Sequence, residues 1–502
     1  MKQLIPILMI LILCTTPIIG WATPPEFSGG INNEYAYEEV VFISGEPIKF
    51  IGTMTVSERE KDNSKTITYR FSKLSPEDKS IDAELTKSIT FTTEYTNRND
   101  KGQTIGQTKV DKYSEAIKIG QDKFELKDFQ FSKSDIIDNR PAANFYSGNI
   151  TGRKYYTINK DQGEVIVEII GGNVGYDNFW GNTETQITEY IITSIRQITD
   201  DTGEQNGIQK ETWQGTVKAQ ASDSLTKTLK YAENEANYSS FNGGHIRVTN
   251  NGMVSRYDYN LPKFKDGKVD GSKRNSGSIS LSKDMVPKLE RLIVPKFKDL
   301  GGHWAQESIE KLYSLDVFDE QSSFFSPEIP FTRGEFTKGV IRACDIRPSQ
   351  GEQKPSSRSR KQPPEVSPFT DVNTTDAYYQ YIKGGLEKQI IAGTSPGTFE
   401  PNAPLTRAQA ITILIRALGF ENKAPNPGYY TSFSDDKDIP NWAKDSIYVA
   451  REINLITGDN YNRVNPNKVV SRAEAASMLV RFLEFLEKDL QRDYRENIIQ
   501  FN

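Results

Sequence analysis

The chain is poor in the two residue types on which most metal chemistry and much nucleophilic catalysis depend: 502 residues hold two His and two Cys. Zinc sites need clusters of imidazole and thiolate donors. The composition therefore argues against a metalloenzyme, and neither a metal nor a cofactor is expected. A basic excess is also missing. Lys and Arg number 62 against 67 Asp and Glu, whereas nucleic-acid binders carry a basic stripe, so no nucleic-acid partner is expected. Beyond the first residues, no segment is long and apolar enough to span a bilayer. What the chain does have is aromatic mass, with 23 Tyr and 25 Phe. That is enough for packed cores and too much for a disordered chain. The length sets an expectation of about two to four domains.

Residues 1–22 read as a secretory signal peptide. Lys2 gives the positive start, Leu4 to Leu13 is apolar apart from Pro6, and Gly20-Trp21-Ala22 offers a small-x-small cleavage site. Cleavage removes Cys14 and leaves Cys344 alone, so no internal disulfide forms and no transmembrane anchor remains. That usage suits export across a single bacterial membrane into a wall where disulfides are little used. Cys344 lies in the apolar stretch Val340-Ile341-Arg342-Ala343 and reads as a buried small hydrophobe.

Self-comparison is the most informative reading. Three segments begin Phe297-Lys298-Asp299, Phe369-Thr370-Asp371 and Phe433-Ser434-Asp435. Each continues in an apolar helical pattern: Ala305/Ile309/Leu312, Tyr378/Ile382/Gly385 and Ala443/Ile447/Ala450. Each then passes a proline (Pro327, Pro401, Pro466) five residues before Thr332, Thr406 or Ser471. Those hydroxyl residues open the strings Thr332-Arg333-Gly334-Glu335, Thr406-Arg407-Ala408-Gln409 and Ser471-Arg472-Ala473-Glu474. A second helix follows, on Phe336/Val340, Ala410/Leu414 and Ala475/Leu479, and Arg342, Arg416 and Arg481 recur beyond it.

The spacing Thr/Ser-x-x-Glu/Gln is a capping box, which accounts for the first and fourth residues. The arginine in second place is left over, because a cation in the first turn opposes the helix dipole. Two readings stand. Arg333, Arg407 and Arg472 bind an anionic ligand through their planar forks, or they pair with the aspartate that opens each repeat.

These motifs resemble S-layer homology domains, in a set of three, over about residues 295–485. The resemblance implies a mainly α-helical pseudo-trimer whose grooves bind secondary cell-wall polysaccharide, often through a pyruvate-ketal sugar. It further implies an exported protein held without covalent bonds on the wall, mostly of Gram-positive bacteria. A pyruvate ketal carries a carboxylate, in keeping with the arginines. The polysaccharide-binding positions it implies here are Asp299, Trp304, Arg333, Asp371, Gly393, Arg407, Asp435, Trp442, Gly458 and Arg472, and no catalytic residue. The match is uneven, because the second unit has Ala377 where the others have Trp304 and Trp442. The first has Glu320 in place of the turn glycines Gly393 and Gly458. Core packing is the competing account of Trp304 and Trp442, and His303 reads as a surface or cap residue.

The expected units are 283–346, 368–420 and 431–490. Between the first two, 347–367 is a Pro/Ser/Gln/basic tether, and a tether of that length implies looser packing of the first unit against the others.

Residues 23–282 differ in character. Thr- and aromatic-rich alternating runs, such as Thr66-Ile67-Thr68-Tyr69-Arg70-Phe71, argue for antiparallel β structure in one large or two smaller domains. Asn97 to Gly102 and Asn250-Asn251-Gly252 read as hairpin turns, and Lys263 to Ser278 as a loop. A string at Phe50–Thr53, Tyr146–Asn149 and Trp213–Thr216 hints at similar hairpins. Asp200 to Glu204 and Asp266 to Asp270 are acidic turns lacking a full calcium-ligand pattern. Tyr176, Phe179 and Trp180 make either a binding patch or hairpin packing. No nucleophile elbow, phosphate loop or His-based triad is present.

The fold class expected is therefore multidomain: an antiparallel β-rich N-terminal region and the α-helical three-unit region. The function expected is display of a structural, adhesive or S-layer element, with other S-layer subunits as further partners. A wall-anchored enzyme using a carboxylate pair on polysaccharide is the alternative, and a solute- or lipid-binding β domain a third.

Overall fold

A computed structural model describes residues 29–61, 63–199, 208–232, 244–265, 268–292, 294–346 and 365–489. The expected signal peptide, the turn Asp200 to Glu204 and most of the tether lie outside them.

The N-terminal region is a single 14-stranded antiparallel sheet. Its strands are β1 (Ile31–Asn32), β2 (Tyr37–Val41), β3 (Ile48–Lys61), β4 (Ser64–Pro76), β5 (Ala83–Arg98), β6 (Gln103–Ile119) and β7 (Asp122–Asn139). They continue as β8 (Ala143–Ile158), β9 (Gly163–Asn178), β10 (Gly181–Thr199), β11 (Ile208–Ala232), β12 (Gly244–Lys265), β13 (Lys268–Asp284) and β14 (Lys288–Arg291). Strands one to thirteen pair in chain order as an up-and-down meander, and β14 adds to β12. The strands are long. At about 3.3 Å per residue, the 18 residues of β7 span roughly 60 Å.

Register shifts at Ile51/Thr53, Arg70/Leu74, Thr90/Phe91 and Leu126/Asp128 bend the sheet. It curls until its beginning meets its end. Glu34 Oε1 accepts from the Val286 amide at 3.1 Å, and Lys283 pairs with Glu38 at 2.6 Å. The result is a near-barrel. Inward positions fill it with Tyr37, Phe50, Tyr69, Phe91 and Tyr257, and rings such as Phe91 and Phe131 meet edge to face at 5.2 Å.

The interior is not wholly apolar. Lys87 pairs with Glu39 at 3.3 Å, and Lys154 with Glu115 at 2.9 Å, all four side chains almost fully buried. Tyr156 donates to Glu115 at 2.7 Å and Tyr37 to Glu39 at 3.0 Å. Since Lys87 stands opposite Glu115 across β5 and β6, the groups form one alternating ladder of charge through the barrel. Burial pushes the Glu115 carboxyl up, but Lys154, Lys87 and the Tyr156 hydroxyl outweigh it and hold the group at about 2.

Several local expectations fail here. Asn250-Asn251-Gly252 is no turn. It lies inside β12, bonded to neighbours on both sides, and a side chain at Gly252 would meet Asp284 Oδ1 at 2.8 Å. The described part of Lys263 to Ser278 is no loop either, since residues 263–265 and 268–278 fall in β12 and β13. Its Lys, Ser and Gly content is that of an exposed edge strand that resists further pairing. The Phe50, Tyr146 and Trp213 strings lie within strands rather than at hairpins.

Among the described residues the C-terminal region has six short α-helices: α1 (Gln306–Ser314), α2 (Arg333–Ala343), α3 (Tyr379–Glu387), α4 (Arg407–Leu418), α5 (Asn441–Glu452) and α6 (Arg472–Glu484). The three reciprocal capping boxes form as expected. The first helix of each repeat packs on the second helix of the preceding one: α3 on α2, α5 on α4, and α1 back on α6. At the axis the Phe331 amide donates to Val470 O, Val470 to Leu405 O, and Leu405 to Phe331 O, each at 2.8 to 2.9 Å. This closed ring corrects the expectation of a loosely held first unit. Ring closure requires all three units equally, whatever the tether's length.

The barrel rests on this bundle. Ala142 N donates to Ala417 O at 2.9 Å and Arg140 Nη1 to Gly419 O at 3.1 Å. Tyr176, near the end of β9, and Trp180, in the turn between β9 and β10, are buried in the helical core, so packing accounts for both.

Candidate functional site

The three arginines act across seams. Each sits first in its helix, where the amides of the first two residues have no partner within the helix. The next unit supplies one. The amides of Arg333 and Gly334 donate to Ala403 O and Pro401 O, those of Arg407 and Ala408 to Lys468 O and Pro466 O, and those of Arg472 and Ala473 to Ile329 O and Pro327 O. The side chains follow. Arg333 donates to Phe399 O at 3.0 Å and Ala392 O at 3.2 Å, its guanidinium 4.6 Å from the Phe399 ring centre. Arg407 reaches Thr457 O at 3.4 Å. Arg472 reaches the first unit, binding Glu335 at 2.7 Å and lying 3.9 Å from Glu320.

The aspartates do something else. Asp299 accepts from the amides of Phe325 and Ser326, Asp371 from Phe399 and Glu400, and Asp435 from Val464 and Asn465. They brace the loop before each second helix and make no ion pair with the motif arginines among the described residues. Backbone amides hold the Asp299 and Asp371 carboxyls below the ordinary range, against an upward push from partial burial.

One seam opens into a cleft of about 260 Å³. It is lined by Arg333 of the first unit, Gly393, Thr394, Gln409, Thr412 and Arg416 of the second, and Trp442 of the third. Trp442 is 53% exposed and Trp304 63%, so core packing does not account for either. Burial lowers the guanidinium pKa of Arg333 and of Arg407, yet both stay cationic at neutral pH. Arg333's hydrogen bonds are to neutral carbonyls, with Asp371 and Glu400 more distant. That leaves a cation only 6% exposed in a cleft shared with an exposed indole and a carboxamide. Such a set suits a ligand with one carboxylate and a sugar face.

Gly393 is needed for close approach, because a Cβ there would lie 2.6 Å from Thr398 O; at Gly458 one would meet Asn462 at 2.9 Å. Unit one escapes this requirement. Its loop has one residue fewer between position 320 and Phe325 than the others have before Phe399 and Val464.

The threefold relation assigns the other seams. The second combines Arg407, the loop at Gly458 with Glu474, and Trp304. The third combines Arg472, Glu320 with Glu335, and Ala377. The two departures noted in different units thus fall in one seam. There the cations are already engaged: Arg472 with Glu335, Lys338 with Asp319, and Arg342 with Asp316 at 3.0 Å. Glu320 is held by the Tyr313 hydroxyl at 2.7 Å.

Sequence reasoning did not single out Gln409, Thr394 or Arg416 as lining residues. Gln409 was visible only as a cap, and its distinction from Glu335 and Glu474, the loss of a charge, was the available signal. His303 accepts from the Ala305 amide through Nδ1 and contacts Glu328, as a cap residue does. Cys344 is buried, and burial pushes its thiol well up.

The sequence profile described as S-layer homology domain matches residues 296–337, 368–411 and 432–476. Among similar proteins, an endoglucanase of Bacillus sp. (strain KSM-635) is 36% identical over 135 residues, 26% of this chain and 14% of its own. A surface-layer 125 kDa protein of Lysinibacillus sphaericus is 26% identical over 204 residues, 40% of this chain and 16% of its own. A cellulosome-anchoring protein of Acetivibrio thermocellus is 32% identical over 125 residues, 24% of this chain and 28% of its own. The chain spans between 12% and 28% of the length of these and similar curated relatives. The family profile leaves residues 1–295 uncovered. The chain carries three S-layer homology domains and is a secreted protein of the cell-wall surface.

Proposed function

We propose that the three domains hold the protein on the wall by binding an anionic secondary cell-wall polysaccharide, pyruvylated on a terminal or side sugar, in the cleft between Arg333 and Trp442. The observation that carries this reading is the neutral cap. At Gln409 the cleft has an amide where the other units place Glu335 and Glu474, so an incoming carboxylate meets Arg333 without a capping carboxylate beside it, while Arg416 is already paired with Glu421. The ketal carboxylate lies against Arg333 and the sugar ring against Trp442, while Gly393 lets the ligand approach the main chain. The seam at Arg407 and Trp304 is a second, weaker acceptor, because Glu474 stands where Gln409 does. The seam at Arg472 is closed.

The near-barrel is the displayed part, a structural or adhesive element. Its interior leaves a cavity of about 70 Å³ beside the charge ladder, room for a few waters. A solute- or lipid-binding interior would need a larger void. Glu39, Glu115 and Glu184 are each bound to a buried lysine, which disfavours an interior carboxylate pair free for glycoside chemistry. Calorimetric titration of the full chain with pyruvylated and ketal-free polymer fragments tests the reading. Binding of the first alone is expected, and equal binding of both would refute it.

A further inference from the structure

Arg416, which lines the cleft at Arg333, also lines a second, larger opening of about 900 Å³. One wall belongs to the barrel: the turn between β5 and β6, with Asn99 and Lys101, and the turn between β7 and β8, with Asn139 and Asn144. The other belongs to the second S-layer homology domain, with Lys388 and Gln389. The lining is rich in carboxamides, each offering a donor and an acceptor to hydroxyls. Ligand clefts favour such junctions between domains.

The two walls are fixed relative to each other. The main-chain bond from Ala142 to Ala417 and the Arg140 bond to Gly419 O stand at the cleft's edge. Arg140 is further held by Asp138 at 2.8 Å. Arg416, the residue shared by the two openings, is tied to Glu421 at 2.9 Å.

We infer that the wall polysaccharide continues past Arg416 into this interdomain cleft, where neutral sugars beyond the pyruvylated one bind the barrel's rim turns. The barrel is then part of the receptor as well as its cargo. This rests on the cleft at Arg333 being the carboxylate site, and the test separates the two. Polysaccharide released from sacculi is size-fractionated into single pyruvylated repeats and chains of several repeats, and each is titrated into the full-length protein.

Native protein is expected to bind the longer chains about tenfold or more tightly per pyruvylated end, equivalent to roughly 1.4 kcal/mol. The rim double variant Asn99→Ala/Lys101→Ala, on an exposed turn, is expected to lose that advantage while binding single repeats as the native protein does. Arg333→Ala is expected to weaken both. Equal affinity of native protein for both lengths overturns the extended site, as does a rim variant that keeps the advantage; either leaves the Arg333 cleft standing. Native affinity of Arg333→Ala for single repeats overturns the cleft itself.

Discussion

Arg472 binds Glu335 at 2.7 Å across the seam between the third domain and the first, whereas its counterpart Arg333 shares a cleft with Gln409, the uncharged equivalent of Glu335. The carboxylate at this cap position is one of three differences, with Glu320 and Ala377, between the closed seam and the open one. The three domains share a fold and a ring of backbone bonds, but not the charge that an anionic ligand meets.

The first prediction follows from that contrast. Arg333→Ala weakens binding to pyruvylated fragments about tenfold or more, the cost of losing a charge-assisted contact of roughly 1.5–3 kcal/mol, with unchanged circular dichroism. Arg472→Ala leaves binding near native but lowers stability by about 1–3 kcal/mol, since Glu335 loses its partner. Titration calorimetry and urea unfolding of both variants check this. The reverse pattern would move the ligand to the third seam.

A closed seam can be opened. Glu320→Gly, Glu335→Gln and Ala377→Trp together remove the loop carboxylate and supply the turn glycine, the neutral cap and the missing aromatic. The triple variant should bind one further fragment per chain, read as a rise in calorimetric stoichiometry. An unchanged stoichiometry with a native fold would mean that charge and aromatic do not define the site.

Gly393→Ala tests close approach. The added methyl would lie 2.6 Å from Thr398 O, so the loop must shift, at a cost of about 1–3 kcal/mol. Binding at the Arg333 cleft should fall, while Gly384→Ala, on α3 with open space around it, should leave both stability and binding near native.

The charge ladder in the barrel predicts an acid dependence. Glu115 titrates at about 2 in the folded chain, below the ordinary 4.5. A depressed carboxyl contributes stability that is fully present above pH 4.5 and is lost as pH falls towards 2. Glu115→Gln should remove that part of the acid dependence and cost about 3–5 kcal/mol at neutral pH, because buried Lys154 and Lys87 lose the Glu115 carboxylate. Urea midpoints of native and variant chains across pH 2–7 check both statements.

Features that repeat locally were legible in the sequence. The capping boxes at Thr332, Thr406 and Ser471 and the apolar helix positions need only neighbours a few residues away. The destination of the motif arginines was not, because each crosses to another domain, between 50 and 137 residues away, in a direction set by ring closure. For the same reason Glu320 and Ala377 read as separate departures. In the barrel, alternation identified strands, but inward-facing Lys87 and Lys154 depend on partners from other strands. Asn250-Asn251-Gly252 has turn chemistry that two flanking strands override.

The most direct measurement is co-sedimentation of the full chain with purified sacculi, intact and after mild acid removal of the ketal, beside the Arg333→Ala variant. The native chain should pellet with intact sacculi only, and the variant should stay in the supernatant. Native protein pelleting equally with ketal-free sacculi, or the variant pelleting like native, would contradict an anchor built on a carboxylate bound at Arg333.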